Sequence, residues 1–286
     1  MEILLTVSFR VIPKLDIKGP NLVKGMHLEG LRVLGKPEEF AKYYYDQGAD
    51  ELIYQDVVAS LYGRNSLNEI ISKTAKEIFI PLTVGGGIKS VEEVSAILKA
   101  GADKVSINTA AINNPDLISE LSKIYGVSTI VISIEAIRQS NGEYFAFTDN
   151  GRNETGLNAI EWAIEAEKRG AGEILITSVD REGTGEGIDS ELVTEISNNL
   201  SIPVVAHGGV GSKADVLELC KLGLSGSAIA SMFHYDFIES IRTLDGYEAE
   251  GNTEFLKSYK KFNKVSGTSI VNLKKFLMSE SVNLRD

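Results

Sequence analysis

Two acidic residues give the first indication of chemistry. Asp16 closes the apolar run FRVIPKLD, and Glu135 closes TIVISIE 119 positions later. Both are expected at strand ends, where a carboxylate is costly to bury without a partner. Two carboxylates on opposite sides of one bound molecule can divide general-acid and general-base work if their neighbours push their pKa values apart. The plainer reading for Asp16 is an ion pair with Lys14 or Lys18.

Glycine clusters give the second indication. Gly85-Gly86-Gly87-Ile88-Lys89-Ser90 lies between an apolar run and a helical stretch, and Gly208-Gly209-Val210-Gly211-Ser212 is placed the same way. Glycine lets backbone approach a ligand closely, and free N–H groups at the next helix start favour an anion. Asn108-Thr109 and Ala230-Ser231 follow one strand later in each case. A single Gly cluster fits a tight turn equally well. Two matching sets predict two phosphate cradles on opposite rims, and therefore a long substrate with a phosphate at each end.

These parts occur twice at a nearly constant spacing. Asp16 and Glu135 are 119 apart, Asp56 and Asp180 are 124, Gly86 and Gly209 are 123, and Asn108 and Ala230 are 122. Such an offset predicts two similar halves facing one site.

The elements that must position them are eight short, β-branched-rich runs. They lie near 9–16, 51–57, 80–84, 104–108, 128–135, 173–179, 203–207 and 226–230. Amphipathic stretches such as PEEFAKYYYDQG, VEEVSAILKAG, AIEWAIEAEKRG and SKADVLELCKLG follow the runs and end on or near Gly, a common helix C-terminal signal. The runs are apolar at successive positions, as expected for a parallel sheet covered on both faces. The pattern predicts an α/β fold: a (β/α)8 TIM barrel with a two-fold half-barrel repeat. A doubly wound open sheet competes but leaves the repeat unexplained. One barrel domain over 1–286 is expected, with functional groups at the C-terminal strand ends.

Composition excludes several classes. The net charge of −11 argues against nonspecific nucleic-acid binding. There is no apolar run of about 18 residues, so no membrane span is expected. MEILLTVSFRVIP lacks a basic n-region and a cleavage site, and reads as a first strand. The single Cys220 excludes an intramolecular disulfide and fits a reducing cytoplasm. Its setting in VLELCKLG favours packing over nucleophilic catalysis. His27 and His234 lack metal-ligand spacing, and no cofactor or metal is expected. His207 either contacts substrate or fills space. Trp162 and Tyr43-Tyr44-Tyr45 read as core or interface.

Taken together, RVIPKLDIK with LVKG, DELIYQD, PLTVGGGI, GADKVSINTAAI, NGRNETG, EKRGAGEILITSVDREGTGEGID and LKKFL…VNLR resemble the cyclase subunit of imidazole glycerol phosphate synthase (HisF). The resemblance covers nearly the whole chain. It implies a histidine-biosynthesis lyase that takes ammonia from a separate glutaminase subunit in a heterodimer. The substrate would be phosphoribulosyl-formimino-aminoimidazole carboxamide ribotide. The products would be imidazole glycerol phosphate and aminoimidazole carboxamide ribotide.

The resemblance also implies residue roles. Asp16 and Glu135 take the catalytic positions, and Lys24 matches the lysine of a mobile first loop. Gly87, Asn108 and Thr109 form one phosphate site, and Gly183, Gly209, Ala230 and Ser231 the other. Arg10, Glu51, Lys104 and Glu173 form the ring through which ammonia enters, and Asp103 faces the glutaminase.

The chain departs from the family pattern in places. Glu135 stands for an Asp, and Glu182 for the second Asp of SxDRDG. His207 replaces a small residue, and Lys14 replaces Cys or Ala. The extra methylene of Glu135 moves its carboxylate by about 1–1.5 Å, a displacement that can cost on the order of 100-fold in rate. About 30 additional residues, near 236–269, follow the last barrel strand on the catalytic face. These departures motivate an alternative: a cyclase-like paralogue that uses glutaminase-derived ammonia to modify a nucleotide sugar in surface-polysaccharide synthesis. A sister isomerase of the same pathway fits less well, because the ammonia-ring residues and ITSVDREG match the cyclase. A non-enzymatic phosphosugar-binding subunit is disfavoured by the retained Asp16.

Overall fold

Eight parallel strands close on themselves. The computed structural model describes residues 8–59, 67–241 and 264–285. The barrel strands are β1 (Arg10–Lys18), β4 (Leu52–Asp56), β5 (Leu82–Gly85), β6 (Lys104–Ile107), β7 (Ile130–Arg138), β10 (Glu173–Ser178), β11 (Val204–His207) and β12 (Gly226–Ile229). They pair in that order, β12 returns to β1, and the β7–β10 pairing completes the ring. This is the (β/α)8 barrel expected from the eight runs.

The helices that cover it include α1 (Pro37–Asp46), α2 (Asn68–Thr74), α3 (Val91–Ala100), α4 (Thr109–Asn113), α5 (Asp116–Tyr125), α6 (Ala159–Arg169), α7 (Ser190–Asn199), α8 (Lys213–Lys221), α9 (Ser231–Ile241) and α10 (Ile270–Ser279). Local chemistry sets their ends. Asn158 caps α6 by accepting from the N–H groups of Ile160 and Glu161, and Gly170 ends it in the left-handed conformation. Ser212 and Asp215 form a reciprocal capping box on α8. Outward side chains such as Leu15, Tyr54 and Ile132 join the helices in the main core. Inward Ile12, Ile53, Val131, Leu175, Val205 and Ala228 form a separate apolar layer inside the barrel. Trp162 and Tyr44 are buried, and Tyr43 and Tyr45 pack against the same core. Cys220 is half-buried on α8.

Among the described residues, four more strands lie outside the ring. β2 (Asn21–Met26) and β3 (Glu29–Gly35) form an antiparallel hairpin on β1, and β8 (Tyr144–Thr148) and β9 (Asn153–Asn158) form one on β7. The sequence reading missed both pairs. Their turns match. His27 and Leu28 have φ of 50° and 62°, and Asp149 and Asn150, 122 positions later, have 54° and 63°. Two successive positive φ values are the mark of a twist-compatible hairpin turn.

Strand register sharpens the repeat. Leu52 pairs with Leu82 as Ile174 pairs with Val204, an offset of 122 at both positions. Asp16 lies opposite Gln55, and Glu135 opposite Thr177, which makes the two acids true equivalents. Asn108 and Ala230 also keep the 122 offset. Asp56 corresponds to Ser178 rather than Asp180, and Gly86 to Gly208 rather than Gly209.

The expected insertion near 236–269 falls largely outside the described residues. Its first part continues α9, and its last part leads to Ser269, the N-cap of α10. On the way, the Ser266 N–H donates to Gly211 O at 2.8 Å, beside the second Gly cluster.

Candidate functional site at the C-terminal mouth

The first Gly cluster borders a cavity of about 190 Å³ at the barrel mouth. Gly86 and Gly87 adopt φ of 107° and 68°, and a Cβ at Gly86 would collide with the Asp56 carbonyl oxygen. Gly87, Asn108, Thr109 and Glu135 all line this cavity, so the first expected phosphate site and the second acid are brought together. Asp149 and Asn150, from the turn of the β8–β9 hairpin, complete its wall. That hairpin is fixed over the rim by Asn108 Nδ2 donating to Phe147 O at 3.0 Å and Asp149 N donating to Thr109 Oγ1 at 3.2 Å. The two hairpin turns also meet, with Asn150 Nδ2 donating to Leu28 O at 2.9 Å.

Glu135 accepts a hydrogen bond from the Gly151 N–H at 2.7 Å through Oε2. Burial nevertheless pushes its pKa up to about 7, against the opposing effects of that bond and of Lys14. Asp16 has the opposite setting. Burial raises its pKa, but Lys14, Lys24 and His207 overcome this and hold it below the usual carboxylate range. The ion pair with Lys14 is the one anticipated as the plainer reading for Asp16. Asp16 lies outside the cavity that Glu135 lines. Lys14 connects the two acids: it pairs with Asp16 and lowers the pKa of Glu135.

Three residues that the resemblance marks as departures, Lys14, Glu182 and His207, lie near one another here. Glu182 is buried and pairs with Lys24, and its Oε2 accepts from Leu28 N at 2.9 Å. Burial raises the pKa of Glu182, but Lys24 and His207 bring it below normal. Burial and then Lys14 push His207 down to about 4, which keeps its ring neutral near pH 7. Lys14, Glu182 and His207 thus lie in one buried electrostatic cluster with Asp16 and Lys24, made of two ion pairs beside the His207 ring. Lys24 lies in strand β2, within the connection from β1 to α1, and is buried.

The second Gly cluster leaves much less room. Gly183, Gly209, Ala230 and Ser231 line a pocket of only about 10 Å³, with Glu182 and His207 on its wall. Gly209 has φ of 91°, and a Cβ there would collide with the Gly187 carbonyl oxygen.

At the opposite end of the barrel, four charges close a quadrangle. Arg10 Nη1 lies 2.9 Å from Glu51 and 2.8 Å from Glu173, and Lys104 Nζ lies 3.0 Å and 3.5 Å from the same two acids. Each partner is supplied by a different barrel strand or the residue preceding it. Asp103, exposed beside this ring, accepts from Leu82 N at 2.9 Å.

His27 Nδ1 lies 3.0 Å from Val179 O, and His234 Nδ1 lies 2.6 Å from the Tyr44 hydroxyl. Among the described residues, no cluster of three or more His, Cys, Asp or Glu is arranged to hold a metal, and no helix is long and apolar enough to cross a membrane. The sequence reading did not single out Gln55, Ser133, Asp149 or Asn150, which also line the first cavity. The Asp149-Asn150-Gly151 triplet is a legible hairpin-turn signal that would have found two of them.

A closed (β/α)8 barrel with paired Gly rims, an acid on each half and a charged ring at the far end defines the class. The molecule is a two-fold-repeated barrel with glycine-lined rims at its C-terminal mouth. Comparison with known proteins narrows this. The family model described as "Histidine biosynthesis protein" matches residues 10–239. The chain is 59% identical to imidazole glycerol phosphate synthase subunit HisF of Legionella pneumophila over 204 residues, covering 71% of this chain and 96% of that protein. It is 46% identical to the same subunit of Thermococcus onnurineus (strain NA1) over 242 residues, covering 84% and 95%. For the subunit of Bifidobacterium adolescentis the identity is 42% over 255 residues, covering 87% and 99%. The chain belongs to the HisF family of histidine-biosynthesis proteins.

Proposed function

We propose that this chain is the cyclase of an imidazole glycerol phosphate synthase. With ammonia, it converts phosphoribulosyl-formimino-aminoimidazole carboxamide ribotide to imidazole glycerol phosphate and aminoimidazole carboxamide ribotide. The observation that carries this reading is the opposite setting of the two equivalent acids. Lys14 keeps Asp16 ionised, which suits a base, while Glu135 retains a proton up to about pH 7, which suits an acid. Adding ammonia to a carbon centre and expelling an amine both require such proton transfers. Gly87, Asn108 and Thr109 would hold one phosphate, and Gly183, Gly209, Ala230 and Ser231, with Lys24 beside them, the other.

A glutaminase subunit would supply the ammonia. The ring of Arg10, Glu51, Lys104 and Glu173 lies at the end of the barrel that would meet that subunit, and the apolar layer above it would favour passage of neutral ammonia over the ammonium ion. Asp103 would face the partner. Rescue of a histidine auxotroph lacking the cyclase tests the reading: growth supports it, and failure of a soluble, abundant protein to rescue contradicts it.

A second reading rests on the second rim. Its 10 Å³ pocket is bounded by Glu182 and His207, both departures from the family pattern. A paralogue passing ammonia to another acceptor would tolerate that closure, and it predicts no rescue of the auxotroph.

A further inference from the structure

His207 sits one pleat below the second rim. Its Cα partner on β12 is Ala228, two residues before Ala230, so its backbone lies about 6–7 Å along the strand below the level of Ala230. Nδ1 lies 2.8 Å from the Ala228 carbonyl oxygen. A carbonyl only accepts, so Nδ1 carries the proton, and the neutral ring presents Nε2 as an acceptor. Nε2 is buried and meets no polar partner among the described residues. The ring lines the small second pocket, whose volume suits one water-sized group and is too small for a phosphate.

We propose that His207 is a specificity-determining residue whose Nε2 accepts a hydrogen bond from the substrate hydroxyl nearest the phosphate held at the Gly209–Ser231 rim. A hydroxyl on the carbon chain adjoining a phosphate ester lies several ångströms inward of the phosphorus, matching the step from rim to ring. A neutral Nε2 lone pair repels unprotonated phosphate oxygens and accepts from a hydroxyl, and the pocket is too small to admit a whole phosphate to the ring. The pocket therefore distinguishes a polyol phosphate from phosphate alone. The proposal deepens the reading above and rests on its placement of a sugar-phosphate end at this rim.

The test uses the full chain labelled with ¹⁵N-histidine at neutral pH. Glycerol phosphate and inorganic phosphate are titrated separately while the His207 Nε2 resonance is followed. Glycerol phosphate is expected to move Nε2 in the direction of an accepted hydrogen bond, and inorganic phosphate to leave it in place. An unmoved resonance with both, meaning the pocket holds water only, overturns the proposal. So does an equal response to both, or conversion of the ring to the imidazolium.

In turnover with ammonia, His207→Ala is expected to raise KM about 10- to 100-fold while leaving kcat nearly unchanged, and His207→Gln, which restores an acceptor near the Nε2 position, to recover most of the loss. An unchanged KM in His207→Ala contradicts the proposal. If wild-type protein binds glycerol phosphate through Nε2 but fails to turn over the ribotide, the cyclase reading falls and the hydroxyl pocket stands.

Discussion

Gly151 donates its backbone N–H to Glu135 Oε2 at 2.7 Å, so the turn of a peripheral hairpin helps to set the proton affinity of the candidate acid. The neighbouring Asn150 reaches Leu28 of the other hairpin. The two turns thus form one bridge over the mouth, and the bridge touches Glu135 on one side and Glu182 on the other.

Glu135 should make stability depend on pH. Its folded pKa, about 7, exceeds the ordinary glutamate value, so the folded state binds the extra proton between the two. Stability should fall as pH rises through that window and level off above about 7. Glu135→Gln should flatten this slope in thermal melts between pH 4 and 8. It should also lower kcat by roughly 100- to 10,000-fold, as loss of a proton donor does. A wild-type melt profile in the variant would remove Glu135 from this role.

Lys14→Met should be strongly destabilising. It leaves the buried Asp16 carboxylate without its ion-pair partner, a change that costs about 3–5 kcal/mol. Lys14→Met combined with Asp16→Asn should recover part of the loss, because the second change removes the stranded charge. Urea unfolding of both variants measures this, and additive losses would contradict the pairing.

Much of the barrel was legible because the parallel strands are apolar on both faces and several helices carry a recognisable cap, such as Asn158 and Gly170 on α6. The paired Gly clusters were legible because positive φ at a rim demands that residue type. The β2–β3 hairpin was not, since His27 and Leu28 take positive φ without a Gly or Asn to announce it. The four members of the charged ring are scattered from Arg10 to Glu173, and their meeting depends on barrel closure; only family resemblance named them. Lys14 was noted as a partner for Asp16 and as a departure from the family. Its influence on Glu135 as well arises from inward alternation on β1 across a narrow interior, which spacing along one strand does not reveal.

The charged ring should matter for ammonia delivered by a partner and little for ammonia added to the solution. Lys104→Met breaks two of the four contacts. Glutamine-driven turnover with a glutaminase subunit should fall several-fold, while turnover with saturating ammonium salt stays near wild type. Equal losses in both assays would show that the ring is structural.

Gly209→Ala should be more damaging than Gly30→Ala, although both glycines have positive φ. The new methyl at 209 meets the Gly187 carbonyl oxygen, whereas at 30 it meets open space. Backbone strain alone accounts for about 1–2 kcal/mol at either site, and the collision should add to it at 209. Thermal melts of the two variants measure the difference, and equal shifts would contradict the close packing of the second rim.

The most direct measurement is ammonia-dependent turnover of the ribotide by wild-type protein and by Asp16→Asn, with binding of the ribotide followed in parallel. Wild type should release imidazole glycerol phosphate. Asp16→Asn should bind the ribotide with nearly unchanged affinity and lose turnover by at least about 100-fold. Full turnover in Asp16→Asn, or none in a natively folded wild type, would contradict the proposed chemistry.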